Sequence, residues 1–138
     1  MGDILKLARI QIMIIVLFVL NKLFIRPFVL ENITFTTIRI FVLSFPNFCE
    51  AIVGTLSLTY IGLFLNNKFY SSSNNANGVF FYTLVTLIAG IFIITQELNY
   101  HSLGGENVYD PYDILFSLIG LITSYLIIII LKPTITTD

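Results

Sequence analysis

The sequence predicts an all-α integral membrane protein, built as a bundle of four transmembrane helices. Of its 138 residues, 57% are hydrophobic and only 11% are charged, whereas a soluble domain carries about 25% charged residues. Four long apolar stretches follow one another along the chain, and about 20 mostly apolar residues suffice to cross a bilayer. The composition therefore argues against a soluble domain, a disordered chain and a nucleic-acid-binding protein, and the lipid bilayer is the expected partner.

The predicted spans cover residues 4–25, 45–65, 79–97 and 112–131, and they form a single transmembrane domain over residues 1–138. The first span contains three basic residues, which must lie near its ends so that their side chains reach the polar surface. We interpret it as a retained anchor, because no small-residue cleavage site follows it. The second span carries a single charge, Glu50. The third and fourth spans contain the longest uncharged runs.

The three connections between the spans differ in composition. Residues 28–44 follow neither a strand period nor a helix period throughout. We expect them to lie along the membrane interface, with a short amphipathic helix as one possible form. Residues 66–78 are rich in Asn, Ser and Gly, which predicts a loop. The third connection is acidic, contains the only histidine, and has no Lys or Arg.

An even number of spans places both termini on the same side of the membrane. Their side carries four basic residues, and the opposite side carries three. Basic residues favour the cytoplasm under the positive-inside rule, so both termini are predicted to be cytoplasmic. The acidic third connection is then outside.

This topology brings ionisable residues of three segments to the outer end of the bundle. The second span begins there, the third ends there, and the fourth begins there. Ionisable groups at the edge of a span are costly, and they are usually paired or functional. The candidate functional cluster consists of Glu50, Glu97, His101, Asp110 and Asp113.

Most members of this cluster also have a purely structural explanation. Asp110 precedes a proline and is typical of a helix N-cap, and Asp113 would lie near the positive end of the helix dipole. Glu50 would form an ion pair with Arg26 or Arg39, which precede it on the same side.

Glu97 is the exception in the cluster, because the dipole at the C-terminal end of a helix disfavours a negative charge. We therefore expect the acidic cluster to have a functional role. No metal site is predicted, since the chain has one histidine and no paired-histidine spacing. No cofactor is predicted either, because no glycine loop suited to phosphate is present.

Small residues form two candidate packing faces. Ser117, Gly120 and Ser124 are spaced by three and four, so they share one face of the fourth span, where another backbone can approach closely. Glu50 shares a face of the second span with Gly54 and with Ser57. The alternative is that the fourth-span face is incidental.

Residues 95–126, TQELNYHSLGGENVYDPYDILFSLIGLITSYL, resemble the signature of the VanZ-like family. In that pattern a glutamate ends one span, two aspartates three apart follow, and a small-residue-rich helix contains a glycine. The matching positions here are Glu97, Asp110, Asp113 and Gly120. Residues 44–50, SFPNFCE, resemble a Pro-Asn-Phe variant of short bacterial relatives. The arginine that the family often carries ahead of the aspartates is absent.

The resemblance implies a bacterial protein of the inner membrane with a cell-envelope role and no defined chemistry. The founding member of the family is linked to resistance to teicoplanin-type glycopeptide antibiotics. Three functions are compatible with the sequence. In the first, the chain is an accessory protein that affects how the cell envelope interacts with a lipid, a cell-wall precursor or an antibiotic. Alternatively, it is a structural subunit that binds a membrane protein partner or a second copy of itself. The third possibility is an enzyme that acts on a lipid-linked or cell-wall precursor.

Overall fold

The computed structural model describes residues 2–69, 78–98 and 110–133 of the chain. In this part the elements are α1 (Gly2–Leu20), a π-helical turn (Asn21–Ile25), α2 (Arg26–Asn32), α3 (Thr36–Phe69), α4 (Gly78–Glu97) and α5 (Pro111–Leu131). Four helical stretches within it are long and apolar enough to cross a membrane. The prediction of an all-α, four-helix membrane fold is confirmed.

The first span is a continuous helical stretch that passes through the π-helical turn. It covers Leu5–Asn32, 28 residues, and so extends beyond the predicted end at residue 25. The backbone N–H of Arg26 bonds to the carbonyl oxygen of Asn21, five residues earlier. Pro27 follows directly, and its ring crowds the carbonyl four residues before it. A wider turn relieves this crowding, so the helix bulges here instead of ending.

Residues 28–44, which the sequence predicts along the interface, are largely helical and join the first two spans. Helix α2 continues to Asn32 and α3 begins at Thr36, so residues 33–35 alone separate the two helices. The connection is closed by the Arg39 guanidinium, which donates to the Leu30 carbonyl oxygen at 3.3 Å. The β-branched residues here have only a weak preference against helix, and tertiary packing overrides it.

The helices differ in length relative to the bilayer. At about 1.5 Å per residue, the 20 residues of α4 and the 21 residues of α5 give about 30 Å, the thickness of the hydrocarbon core. The spans Leu5–Asn32 and Thr36–Leu65 have 28 and 30 residues and reach about 42–45 Å. These two helices must tilt in the bilayer or extend past it.

Helix α3 lies at the centre of the bundle and contacts all the other helices. One apolar core cluster comprises Leu7, Ile52, Leu56, Tyr82 and Ile128. A second comprises Ala51, Ala89 and Leu121. Both clusters depend on α3, because each takes its members from that helix and from the helices on either side.

Helices α3 and α5 approach most closely at Gly120. A Cβ atom at this position would lie 2.6 Å from the Phe48 carbonyl oxygen and 2.8 Å from the Ala51 Cβ. Ser117 and Ser124, on the same face, are fully buried. This small-residue face is therefore occupied within the chain, and it is not available to a partner subunit.

Candidate functional site

A polar cavity of about 110 Å³ lies among α3, α4 and α5. Its polar walls are formed by Asn47, Glu50, Gln96, Glu97 and Ser117. Its remaining walls are formed by Gly54, Leu58, Ala89, Phe92 and Ile93. Two carboxyl groups and two amides within apolar spans are an unusual concentration of polar side chains, and such residues mark functional positions in membrane proteins.

Helix α3 contributes the open side of this polar cavity. The Glu50 side chain is exposed on the surface of the bundle, and Gly54 lies one helical turn after it. A Cβ atom at Gly54 would meet no atom of the described residues within 4 Å, so none of the described helices covers this position. The expectation that Gly54 serves close helix contact is therefore wrong within this chain. The small residue instead leaves space beside the Glu50 carboxyl group.

Two predicted site residues from different helices, Glu50 and Glu97, line the cavity together. The carboxyl group of Glu97, in the last turn of α4, interacts electrostatically with both Glu50 of α3 and Asp113 of α5. All three groups have the same sign when ionised. Their proximity therefore costs folding free energy unless a proton, a cation or water offsets the repulsion.

The other two members of the predicted cluster have different positions. Asp110 is the N-cap of α5, and its carboxylate accepts a hydrogen bond from the Tyr112 backbone N–H at 2.9 Å. This confirms the capping explanation for Asp110, which does not line the cavity. Asp113 lies in the first turn, as expected. His101 lies outside the described residues.

The cation that acts on Glu50 is Lys22, and not an arginine as predicted. The Arg39 guanidinium is directed instead to the Leu30 carbonyl oxygen. Lys22 lies in the π-helical turn, and its Nζ is 5.4 Å from the centroid of the Phe18 ring. Sequence reasoning assigned Lys22 to the membrane surface, because it could not foresee how the π-helical turn continues into α2.

Ser117 differs from three other buried hydroxyl residues of the bundle. Thr55 and Thr59 each donate to the carbonyl oxygen four residues earlier, at 2.7 and 2.8 Å, and Ser124 donates to the Leu121 carbonyl oxygen at 2.8 Å. Ser117 is 0% exposed, and its Oγ has no hydrogen-bond partner in the described part of the chain. A buried, unpaired hydroxyl costs about 1–3 kcal/mol, and Ser117 carries this cost in the wall of the cavity.

Sequence reasoning missed several polar residues that the fold buries or brings to the cavity. Asn47 and Gln96 line the cavity beside the two glutamates. Asn21 Oδ1 and Ser44 Oγ are buried and, like Ser117 Oγ, lack a partner among the described residues. The available signal was an amide inside an otherwise apolar span, since such side chains are costly in lipid.

A second, larger concavity is apolar and lies between α4 and α5. It has a volume of about 580 Å³ and is lined mainly by Leu, Ile and Thr side chains. The Thr86 and Thr95 hydroxyls donate to carbonyl oxygens of their own helix, at 2.8–2.9 Å. Because these hydroxyls are already paired, the groove presents a surface suited to hydrocarbon chains, as any lipid-facing surface does.

Compared with known proteins, the chain matches no family model, no curated protein and no solved structure. The fold and the composition nevertheless define its class. It is an α-helical, multi-pass membrane protein with a polar cavity between its spans.

Proposed function

We propose that this chain is a small VanZ-like membrane protein of the bacterial cell envelope, and that it acts through the acidic residues at the outer end of its bundle. One observation carries the proposal. Glu50 of α3 and Glu97 of α4 line one cavity, and the charges of Glu50 and of Asp113 on α5 both act on Glu97. Capping accounts for Asp110, and the helix dipole favours Asp113, but neither effect explains Glu97.

The resemblance supports the same assignment, because its positions have distinct physical roles in the fold. Glu97 lines the cavity, Asp110 caps α5, and Asp113 lies within electrostatic range of Glu97. Gly120 lies where only a residue without a side chain fits against α3. On this proposal the protein lies in the inner membrane, and its acidic residues face outward, where a lipid, a wall precursor or a glycopeptide antibiotic is met.

A membrane enzyme is the second candidate, and the electrostatic interaction of Glu50 with Glu97 favours it. Acid–base catalysis uses two titratable groups held in different surroundings. Glu50 is exposed and close to Lys22, whereas Glu97 is half-buried and close to Asp113. A role as a structural subunit that uses the Ser117 face has less support, since α3 covers that face.

The central test compares two conservative substitutions in the native host. The gene is deleted, and the strain is complemented with wild type, Glu97→Gln or Glu31→Gln. Glu31 is the matched control, because it is an exposed glutamate on α2 that does not line the cavity. The measurements are protein abundance, glycopeptide susceptibility, and the profiles of lipids and wall precursors.

We expect Glu97→Gln to accumulate normally and to fail in complementation, whereas Glu31→Gln complements fully. Full complementation by Glu97→Gln at normal abundance would contradict the proposal. Low abundance of Glu97→Gln with normal Glu31→Gln would instead assign Glu97 a structural role.

The proposed orientation is tested separately by cysteine labelling. A cysteine at Ser102 should react with an impermeant reagent added outside the cell, and one at Ser72 should not. The native Cys49 is buried and contributes little background. The reverse labelling pattern would place the termini outside, and labelling of both positions would contradict four spans.

A further inference from the structure

We propose that the polar cavity binds a small monovalent cation, with Na⁺ as its typical ligand, between the carboxylates of Glu50 and Glu97. The hydroxyl of Ser117 and the side-chain oxygens of Asn47 and Gln96 complete the ligand set. This inference deepens the proposed function, since it assigns a ligand to the same acidic residues. Cation binding to the purified protein is measured without any cellular phenotype. The cation site and the proposed function can therefore fail separately.

The size of the cavity excludes larger ligands. Its volume of about 110 Å³ is that of a few water molecules, at about 30 Å³ each. Pockets for drug-sized molecules have volumes of about 300–1,000 Å³. A partly hydrated ion fits inside the cavity, whereas a sugar, a lipid headgroup or a peptide can only contact its open side from outside.

The charged side chains around the cavity favour a ligand with a single positive charge. When both are ionised, Glu50 and Glu97 contribute two negative charges to the cavity, and the charge of Lys22 opposes that of Glu50. One negative charge is left within a membrane span, where an uncompensated charge is costly. Asp113 adds to the negative potential at Glu97 from the first turn of α5. A bound monovalent cation restores neutrality in the cavity.

The donor set favours a hard ion over a transition metal. The polar walls offer carboxylate, amide and hydroxyl oxygens, which suit hard cations, and the described residues of the cavity wall include neither histidine nor cysteine. In the described part of the chain, no three acidic, histidine or cysteine side chains gather as metal ligands. A divalent ion would leave an excess positive charge, because Lys22 offsets one of the two carboxylates. The unpaired Ser117 Oγ supplies the independent indication of a ligand.

The test measures thermal unfolding of the purified full-length chain in detergent. Samples contain NaCl or N-methyl-D-glucamine chloride at equal ionic strength, so that general screening is the same. Na⁺ at ten times its dissociation constant should raise Tm by about 5 °C, because a ligand that binds only the folded state stabilises it. Binding of radioactive ²²Na⁺ is measured in parallel.

Three variants separate the cation site from general stability. Glu97→Gln and Ser117→Ala should lose the Na⁺-dependent rise in Tm and bind ²²Na⁺ at least tenfold more weakly, whereas Glu31→Gln should retain both. If wild type shows neither a Na⁺-dependent Tm nor ²²Na⁺ binding, the proposal is wrong. It is equally wrong if Mg²⁺ or Ca²⁺ alone stabilises the protein, or if Glu97→Gln and Ser117→Ala retain full binding. Should one of them fail to fold, ²²Na⁺ binding by the other decides.

Discussion

Replacing Gly120 by alanine should weaken the bundle at the closest contact between α3 and α5. The added methyl group would lie 2.6 Å from the Phe48 carbonyl oxygen and 2.8 Å from the Ala51 Cβ. Neither atom can turn away, because one belongs to the backbone and the other is fixed directly to it. The two helices must therefore separate, and the contacts along their shared face weaken.

The expected loss in the free energy of unfolding is the difference between two opposing effects of the methyl group. Overpacking in a close-packed core costs about 1–3 kcal/mol. Alanine is a better helix former than glycine by about 1 kcal/mol, which offsets part of that cost. We therefore expect Gly120→Ala to lower the free energy of unfolding by up to about 2 kcal/mol.

Gly54→Ala is the matched control, since it makes the same chemical change in a helix where a Cβ would meet no atom within 4 Å. It should be neutral, or stabilising by up to about 1 kcal/mol. Both variants are compared by thermal unfolding in detergent or by titration with a denaturing detergent. If Gly120→Ala is as stable as Gly54→Ala, the close approach of α3 and α5 is not as described.

The Ala51→Gly change adds an internal check on the same contact. In the double variant with Gly120→Ala, it removes the 2.8 Å contact but leaves the one with the Phe48 carbonyl oxygen at 2.6 Å. The double variant should be more stable than the sum of the single effects predicts. Simple additivity would show that the two positions do not share a contact.

Two further predictions concern hydrogen bonds at opposite ends of the structure. Asp110→Ala removes the N-cap of α5 and should lower the free energy of unfolding by about 1 kcal/mol, whereas Asp110→Asn should retain most of the stability; equal loss for both would point to the charge rather than the cap. Tyr82→Phe removes a buried bond from the tyrosine hydroxyl to the Pro133 carbonyl oxygen at 2.9 Å and should cost about 1–2 kcal/mol in thermal unfolding. An unchanged Tm for Tyr82→Phe would show that this bond does not hold the end of α5 against α4.

Several features of this protein follow from the sequence alone because they depend on neighbouring residues. The hydropathy of about 20 consecutive residues identifies a spanning helix, and all four predicted spans appear as helices in the structure. The N-cap at Asp110 is equally local. An acid that precedes a proline and an apolar run accepts a hydrogen bond from a backbone N–H in the first turn of the helix. The spacing of Ser117, Gly120 and Ser124 likewise determined that they share a face of α5.

The tertiary structure decided which side chains meet. The sequence favoured an arginine as partner of Glu50, but the π-helical turn continues the first span and brings Lys22 within electrostatic range. Two glycines that look alike in the sequence differ completely, because Gly120 lies against α3 and Gly54 faces open space. The Ser117 hydroxyl became a candidate ligand only once its neighbours were known. Hydropathy cannot distinguish such cases, since it records how apolar a stretch is and not how its helix is rotated and tilted against the others.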